Sequence, residues 1–211
     1  MKPSKNKSLA APILITGFTP FGGETVNPSW LVASQFDGRE MLGARIHARE
    51  LPTVFGRAET QLSYALRKLR PGIVLMLGEA GNRSRISIER VAINLADARI
   101  ADNDGKKPRD QVLVKNGPAA YFSTLPVREL HEALHAAEIP SECSLSAGSF
   151  VCNAVMYRAL HLLAEREAPA RAGFIHLPYL PEQAVNHRHA PSMALDDQMA
   201  AVEIILRTLM A

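Results

Sequence analysis

Two spacings of apolar residues alternate along this chain. Ile13-Leu14-Ile15 and Ile73-Val74-Leu75-Met76-Leu77 are apolar at every position, so they have no polar face to turn to water. Runs of that kind fit strands of a parallel sheet covered by helices on both faces. Between them the spacing becomes helical. Over residues 55–69, Phe55, Ala58, Leu62, Ala65, Leu66 and Leu69 recur every three or four positions, and Pro71-Gly72 end the segment. A helix from Val127 to Glu138 turns Leu130, Leu134 and Ala137 inward and stops before Pro140. A final helix, capped by Ser192 and running to Met210, buries Ala200, Val202, Ile205, Leu206 and Leu209. Further strands fit Ala44 to Leu51, the segment after Pro140, and Gly173 to Pro178. A short helix starts at Asn27, with Pro28 in its first position. Strands alternating with helices, with no repeat and no linker, predict one α/β domain with a mostly parallel twisted sheet.

The interruptions of the pattern carry the chemistry. In Ile86 to Asn94 the apolar positions are 86, 88, 91 and 93, so the alternation slips at Glu89-Arg90. That slip predicts a bend or bulge. The charged pair is either a solvated edge or a functional carboxylate, and charged residues usually sit at solvated edges. Residues 97–118 are polar and read as a long loop. Asp97, Asp102 and Asp104 suggest calcium, but the glycine is misplaced for an EF-hand loop and no closing glutamate follows, so no metal is expected. His187-Arg188-His189 reads as a solvated loop without further metal ligands beside it.

After Ala147-Gly148, helical periodicity resumes. Val155, Ala159, Leu162 and Leu163 share one face, and Arg158, His161 and Glu165 lie on another. A helix beginning near Val151 puts the sulfur of Cys152 in its first turn. There the unpaired N–H groups and the positive end of the dipole favour a thiolate. The competing reading is an inert buried cysteine, since free cysteine is among the most buried residue types.

Composition narrows the function classes. The chain has 211 residues, is 47% hydrophobic and 21% charged, and carries a formal net charge of +3. Lys2, Lys5 and Lys7 account for the excess, because without them 21 basic residues face 21 acidic ones. A balanced body gives no footprint for nucleic acid or an anionic membrane. Residues 1–11 read as a disordered tail and 12–211 as the domain. The apolar run after the lysines is short and leads into Gly17-Phe18, which fits a first core strand better than a signal peptide. No apolar run approaches the roughly 18 residues that a membrane helix needs. Two cysteines, Cys143 and Cys152, make no disulfide framework, which points to a reducing compartment.

Cys152 at a helix start, His176 near a strand end and Glu89 on an interrupted strand could serve as nucleophile, base and orienting carboxylate. An unperturbed thiol, with pKa about 8.5, is only a few per cent thiolate near neutrality, so it needs an imidazolium or a helix N-terminus to activate it. The histidine would then protonate the leaving amine, and a carboxylate would fix its tautomer. Backbone N–H groups around Cys152 or at Ala80-Gly81 could hold an oxyanion. With seven histidines in the chain, spacing alone does not single these residues out.

Longer segments do. Gly17 to Glu24 with Asn27-Pro28-Ser29-Trp30, Ile86 to Asn94, Asp97-Ala98-Arg99-Ile100 with Asp102 to Gly105, Ser146 to Asn153 and Gly173 to Gln183 together resemble pyroglutamyl peptidase I, also called pyrrolidone-carboxylate peptidase. The matches run in order over nearly the whole chain. The resemblance implies an α/β/α sandwich with neither metal nor cofactor, a cytoplasmic location and a homo-oligomer, dimer or tetramer. It implies cleavage of peptides after an N-terminal pyroglutamyl residue, with Cys152 as nucleophile, His176 as general base and acid, and Glu89 as orienting carboxylate. By motif position Phe18 and Phe21 would flank the lactam ring, with Asn27 nearby and Phe150-Val151 beside the nucleophile. A small neutral ring suits flat apolar walls with one donor and one acceptor.

Glu79 departs from the pattern, because relatives often have glutamine or leucine there. A charged side chain beside a neutral lactam is odd unless only its backbone touches the ring. An aminopeptidase or amidase using Glu79 as counter-charge for a free amine is one alternative. A ligand-binding scaffold without catalysis is another.

Overall fold

The computed structural model describes residues 10–165, 170–188 and 190–211. Most of the tail, and His189 of the solvated-loop reading, lie outside the described residues. Strand β1 (Ile13–Phe18) leads to helix α1 (Pro28–Gln35), a short β2 (Glu40–Met41) and β3 (Ala44–Leu51). Helix α2 (Arg57–Leu69) precedes β4 (Ile73–Glu79), β5 (Ile86–Glu89) and β6 (Val91–Ile93). Then come β7 (Ala120–Phe122), α3 (Val127–Ala136), β8 (Ser141–Ser144), α4 (Val151–Ala164), β9 (Arg171–Leu177), a one-turn α5 (Pro181–Ala184) and α6 (Leu195–Met210).

Seven strands form one sheet in the order β2-β3-β1-β4-β9-β5-β8. Its centre, β3-β1-β4-β9, is parallel, while β5 runs antiparallel to β9 and carries β8 parallel to itself. Alternate residues of each central strand feed opposite layers. Leu75, Leu77, Ile175 and Leu177 pack with residues of α1, α3 and α6, while Val74, Met76, Ala172 and Phe174 pack with α2 and α4. Strands apolar on both faces thus sit between two helical layers, as expected for an α/β/α sandwich.

The slip at Glu89-Arg90 is a change of sheet. Glu89 ends β5 inside the main sheet, and Val91–Ile93 pairs instead with Ala120–Phe122 in a two-stranded ribbon. Pattern reading missed β2 and β7, which are two and three residues long. Three helix details also differ. Ser192 does not cap α6: it forms a β-bridge with Tyr179, Met193 N–H donates to Tyr179 C=O, and the helix starts only at Leu195. Ala201, not Ala200, faces the core. Ala137 is exposed, because α3 ends one residue earlier and Glu138 is already left-handed at φ 59°.

The connection from β1 to α1 is tight. Asn27 caps α1, its Oδ1 accepting from Ser29 N–H at 3.0 Å and from Ser29 Oγ at 2.7 Å. Such a cap contributes about 1 kcal/mol. Phe18 N–H donates back to Ser29 Oγ at 3.0 Å, so helix and strand touch directly. A methyl group on Gly17 would lie 2.6 Å from Trp30 Cα, against backbone that has no room to shift. Gly17→Ala is therefore expected to destabilise the fold by about 2–3 kcal/mol, read as a lower Tm and urea midpoint.

Candidate active site

Pleat and register decide which side chains meet. His176 on β9 is paired in parallel register with Gly78 on β4, and Phe174 lies two residues before it. On the other side of β9, Ser87 pairs with His176 and Glu89 with Phe174. Paired residues share a face, so Gly78, Phe174, His176 and Glu89 all point toward α4. A Cβ on Gly78 would lie 2.6–2.7 Å from the Phe174 ring and 3.0 Å from Cys152 Sγ. The missing side chain is the space that the sulfur and the ring use.

Glu89 is fully buried, and its Oε1 lies 2.7 Å from His176 Nδ1. A carboxylate can only accept, so Nδ1 carries a proton and donates to it. The same Oε1 also accepts from Arg83 Nη1 at 2.7 Å. Burial raises the pKa of this carboxyl, but the hydrogen bond and charge of His176, with smaller help from Ser144 and Arg83, outweigh it and hold the group below its ordinary value.

Cys152 is the second residue of α4, whose N-cap, Phe150, offers no side-chain cap. The first intrahelical bond runs from Ala154 N–H to Phe150 C=O, so the N–H groups of residues 151–153 point out of the helix start. Of the other expected oxyanion donors, at Ala80-Gly81, the Ala80 N–H is taken by Leu177 C=O at 2.9 Å. The thiol itself corrects an expectation. Burial first, then the charges of Glu89 and Glu79, push it up to about 12, against the weaker pull of its backbone hydrogen bond and Arg83. A free thiolate is not the resting form.

These groups open into a cleft of about 440 Å³ lined by Phe18, Phe21, Thr53, Phe150, Cys152 and His176, among others. Phe21 and Phe55 pack on Phe150 with ring centroids 6.1 and 5.3 Å apart, the second pair edge-to-face. Phe18 ends β1 and is only 2% exposed, yet it borders the cleft. Asn27 borders the cleft, yet its amide is occupied, accepting from Ser29 and donating to Thr19 C=O at 3.2 Å. Val151 does not line the cleft: as the first residue of α4 it points into the α2/α4 layer and is completely buried. Asn153 escaped pattern reading. Fully buried, it accepts from Ile93 N–H and donates to Ile93 and Leu95 C=O at 2.8–2.9 Å, pinning β6 to the start of α4. An asparagine on the inward side of an apolar helix was its signal. A second groove, beside α2 and α4 and lined by Ser63, Arg67, Tyr157 and Arg158, includes neither Cys152 nor His176.

The pyroglutamyl peptidase family model matches residues 11–211. The chain belongs to the pyroglutamyl peptidase family. It is 54% identical over 192 residues to the pyrrolidone-carboxylate peptidase of Chromobacterium violaceum, covering 91% of this chain and 89% of that one. Identity to the Escherichia fergusonii protein of the same name is 52% over 196 residues, 93% and 91% of the two chains. Among solved structures, pyroglutamyl peptidase I from Bacillus amyloliquefaciens superposes with TM-score 0.91 at 41% identity over 95% of each chain. A variant of the Pyrococcus furiosus pyrrolidone carboxyl peptidase gives 0.92 at 42%, over 94% of this chain and 98% of that one.

Within this pyroglutamyl peptidase fold, Glu79 follows Gly78 and so points to the opposite face of the sheet. Its Oε2 accepts from Gln183 Nε2 at 2.9 Å, and Gln183 also reaches Glu24 Oε2 at 3.2 Å. Glu24 Oε1 lies 2.6 Å from His187 Nε2, and His187 stacks on Tyr179, so His187 is not a freely solvated loop residue. Burial, reinforced by the charge of Glu24, raises Glu79 to about 7 against the pull of Gln183 and His187. The folded state therefore holds this proton to higher pH than the unfolded chain. Stability falls as pH rises from about 4.5 to about 7 and is flat beyond. Glu79→Gln keeps the acceptor for Gln183 and removes the titration. Its stability relative to the parent, by urea unfolding at pH 5 and pH 8, is expected to be about 1–3 kcal/mol better at pH 8 than at pH 5.

Proposed function

We propose that this chain is a cysteine peptidase that hydrolyses the amide bond after an N-terminal pyroglutamyl residue, with Cys152, His176 and Glu89 in the catalytic roles. The observation that carries the reading is the 2.7 Å bond from His176 Nδ1 to buried Glu89, with His176 directly across from the Gly78 gap that admits Cys152 Sγ.

In the first half-reaction Cys152 Sγ gives its proton to His176 Nε2 and attacks the pyroglutamyl carbonyl carbon. The oxyanion takes hydrogen bonds from the N–H groups at the start of α4. Nε2 then returns the proton to the departing amine nitrogen, the C–N bond breaks, and a pyroglutamyl thioester remains on Cys152. Water, deprotonated by Nε2, attacks the thioester; pyroglutamate leaves and Sγ is reprotonated. Glu89 keeps Nδ1 protonated throughout and stabilises the imidazolium formed on the way.

Phe18, Phe21 and Phe150 suit the apolar faces of a lactam, and Asn27 shapes the loop that carries Phe21. Glu79 borders the cleft, but its carboxyl is held by Gln183 toward the far face, which leaves its main chain to meet the ring. That orientation counts against the amine-accepting alternative, which needs a counter-charge in the cleft. Residues 12–211 would form one peptidase domain. Among the described residues no helix is long and apolar enough to cross a membrane. Unpaired Cys143 and Cys152 favour a reducing, cytoplasmic location. Homo-oligomerisation, as dimer or tetramer, remains part of the reading on the family resemblance alone.

Side-by-side hydrolysis of pyroglutamyl-, prolyl- and alanyl-aminomethylcoumarin should give product from the first substrate only. Preferential release from either of the others overturns the assignment. Cys152→Ser should keep its circular dichroism spectrum and Tm while losing at least about 10³-fold in kcat. Retained turnover would remove Cys152 from the mechanism, and a fold lost with the activity would make the cysteine structural.

A further inference from the structure

Glu89 is a carboxylate with no exposed surface, and all its formed hydrogen bonds fall on one oxygen. Oε1 receives both His176 Nδ1 and Arg83 Nη1, each at 2.7 Å. Oε2 is buried without a hydrogen-bond partner among the described residues. An ionised carboxylate with one oxygen left unpartnered is costly to bury. Beyond His176, whose hydrogen bond and charge act most strongly on Glu89, the carboxylate has the Arg83 guanidinium beside it, with a side chain 31% exposed on the wall of the cleft.

The loop between β4 and β5 is shaped to deliver that guanidinium. Arg83 N–H donates to Ala80 C=O at 3.2 Å, and Asn82 takes a left-handed φ of 73°, which closes a tight turn. Gly81 lies flat against the Tyr179 ring, where any Cβ would collide with it. Arg83 is thus held over the end of β5, six residues before the carboxylate it meets.

We propose that Arg83 is a positioning residue: it fixes the Glu89 carboxylate on His176 and supplies the positive charge that offsets this buried anion, so that the Cys152 thiolate forms and His176 can release its proton near neutral pH. The proposal rests on the catalytic roles given above. The groups facing Glu89 are His176 on β9, Arg83 on the β4–β5 loop, Cys152 on α4 and the Ser144 hydroxyl on β8, with Glu79 adding its charge near the thiol. With Arg83 present, Glu89 and the guanidinium cancel, and the nucleophile pair forms in a neutral surround. Without it the pair forms next to a bare buried anion, which opposes the thiolate and holds the proton on His176.

The test compares Arg83→Gln and Arg83→Lys with the parent. One readout is the pH profile of kcat and KM on pyroglutamyl-aminomethylcoumarin. The other is the pH dependence of Cys152 alkylation by iodoacetamide, followed by peptide mass, which does not depend on what the protein cleaves. Loss of a positive charge raises the pKa of thiol and imidazolium alike. Arg83→Gln should therefore move both limbs of the activity profile, and the alkylation limb, up by about half to one pH unit. At pH 7 kcat should fall about three- to tenfold with KM little changed, and Arg83→Lys should restore the limbs. In a Glu89→Gln background, where the carboxylate no longer holds the guanidinium in place, Arg83→Gln should give a smaller shift. Unmoved limbs with a lower Tm, a raised KM with unmoved limbs, or an equal shift without Glu89 would each overturn the proposal. A parent that alkylates normally but cleaves no pyroglutamyl substrate sinks the substrate reading alone, and the alkylation limbs still decide the role of Arg83.

Discussion

A residue without a side chain sets the geometry of the site. Opposite His176 on the adjacent strand stands Gly78, and through that gap the first turn of α4 sets a sulfur against the sheet. With any larger residue at that position, helix and sheet would be separated by a side chain and the thiol could not share a face with the histidine. The other constraints close around this one. Asn153 pins the same turn of α4 to β6, and β6 can be there only because the chain leaves the main sheet directly after Glu89. The reversal of β5 against β9 brings Glu89 two residues along the ladder from His176, a diagonal that a long carboxylate side chain spans.

The sheet also separates two buried carboxyls with opposite electrostatics. Glu89, on the α4 face, is paired with His176 and Arg83 and is held ionised. Glu79, on the other face, meets an amide and a second glutamate and is pushed up to about 7. Both are almost inaccessible to water, so burial does not distinguish them; partners do. The second cluster has a mechanical consequence as well. Gln183 and His187 tie Glu24, and with it the loop that carries Phe21, to the segment after β9. The aromatic wall of the cleft therefore rests on polar contacts on the far side of the sheet.

The layered fold was legible because its causes are local. Fully apolar runs announced β1 and β4, and the broken alternation at Glu89-Arg90 marked the place where the chain changes sheets. The two strands that were missed, β2 and β7, are too short to show a period, and Ser192 misled because a good capping residue was already engaged in a bridge to Tyr179. Cys152, His176 and Glu89 could be nominated from sequence, but only register shows that they share a face. The same register answers the question of Glu79, since residues 78 and 79 must point oppositely in a strand. Nothing in the order of residues could show that Asn27 is engaged in capping, that Val151 turns inward, or that Arg83 closes on the same oxygen as His176. Those depend on atoms brought together from distant positions.

The resting state of the sulfur follows from these contacts. A thiol pushed up to about 12 by burial and by two carboxylates is a poor nucleophile taken alone. On the proposed mechanism the nucleophile exists only as an ion pair, made when His176 takes the proton and Glu89 stabilises the charged ring. Its formation costs less as the cleft fills and the departing charge is met by N–H groups of α4. Reactivity is then tied to the bound substrate rather than to the cysteine as such. In this reading the opposing influences on Cys152, carboxylates that raise it and a guanidinium that lowers it, set how far the proton transfer lies from balance before substrate arrives.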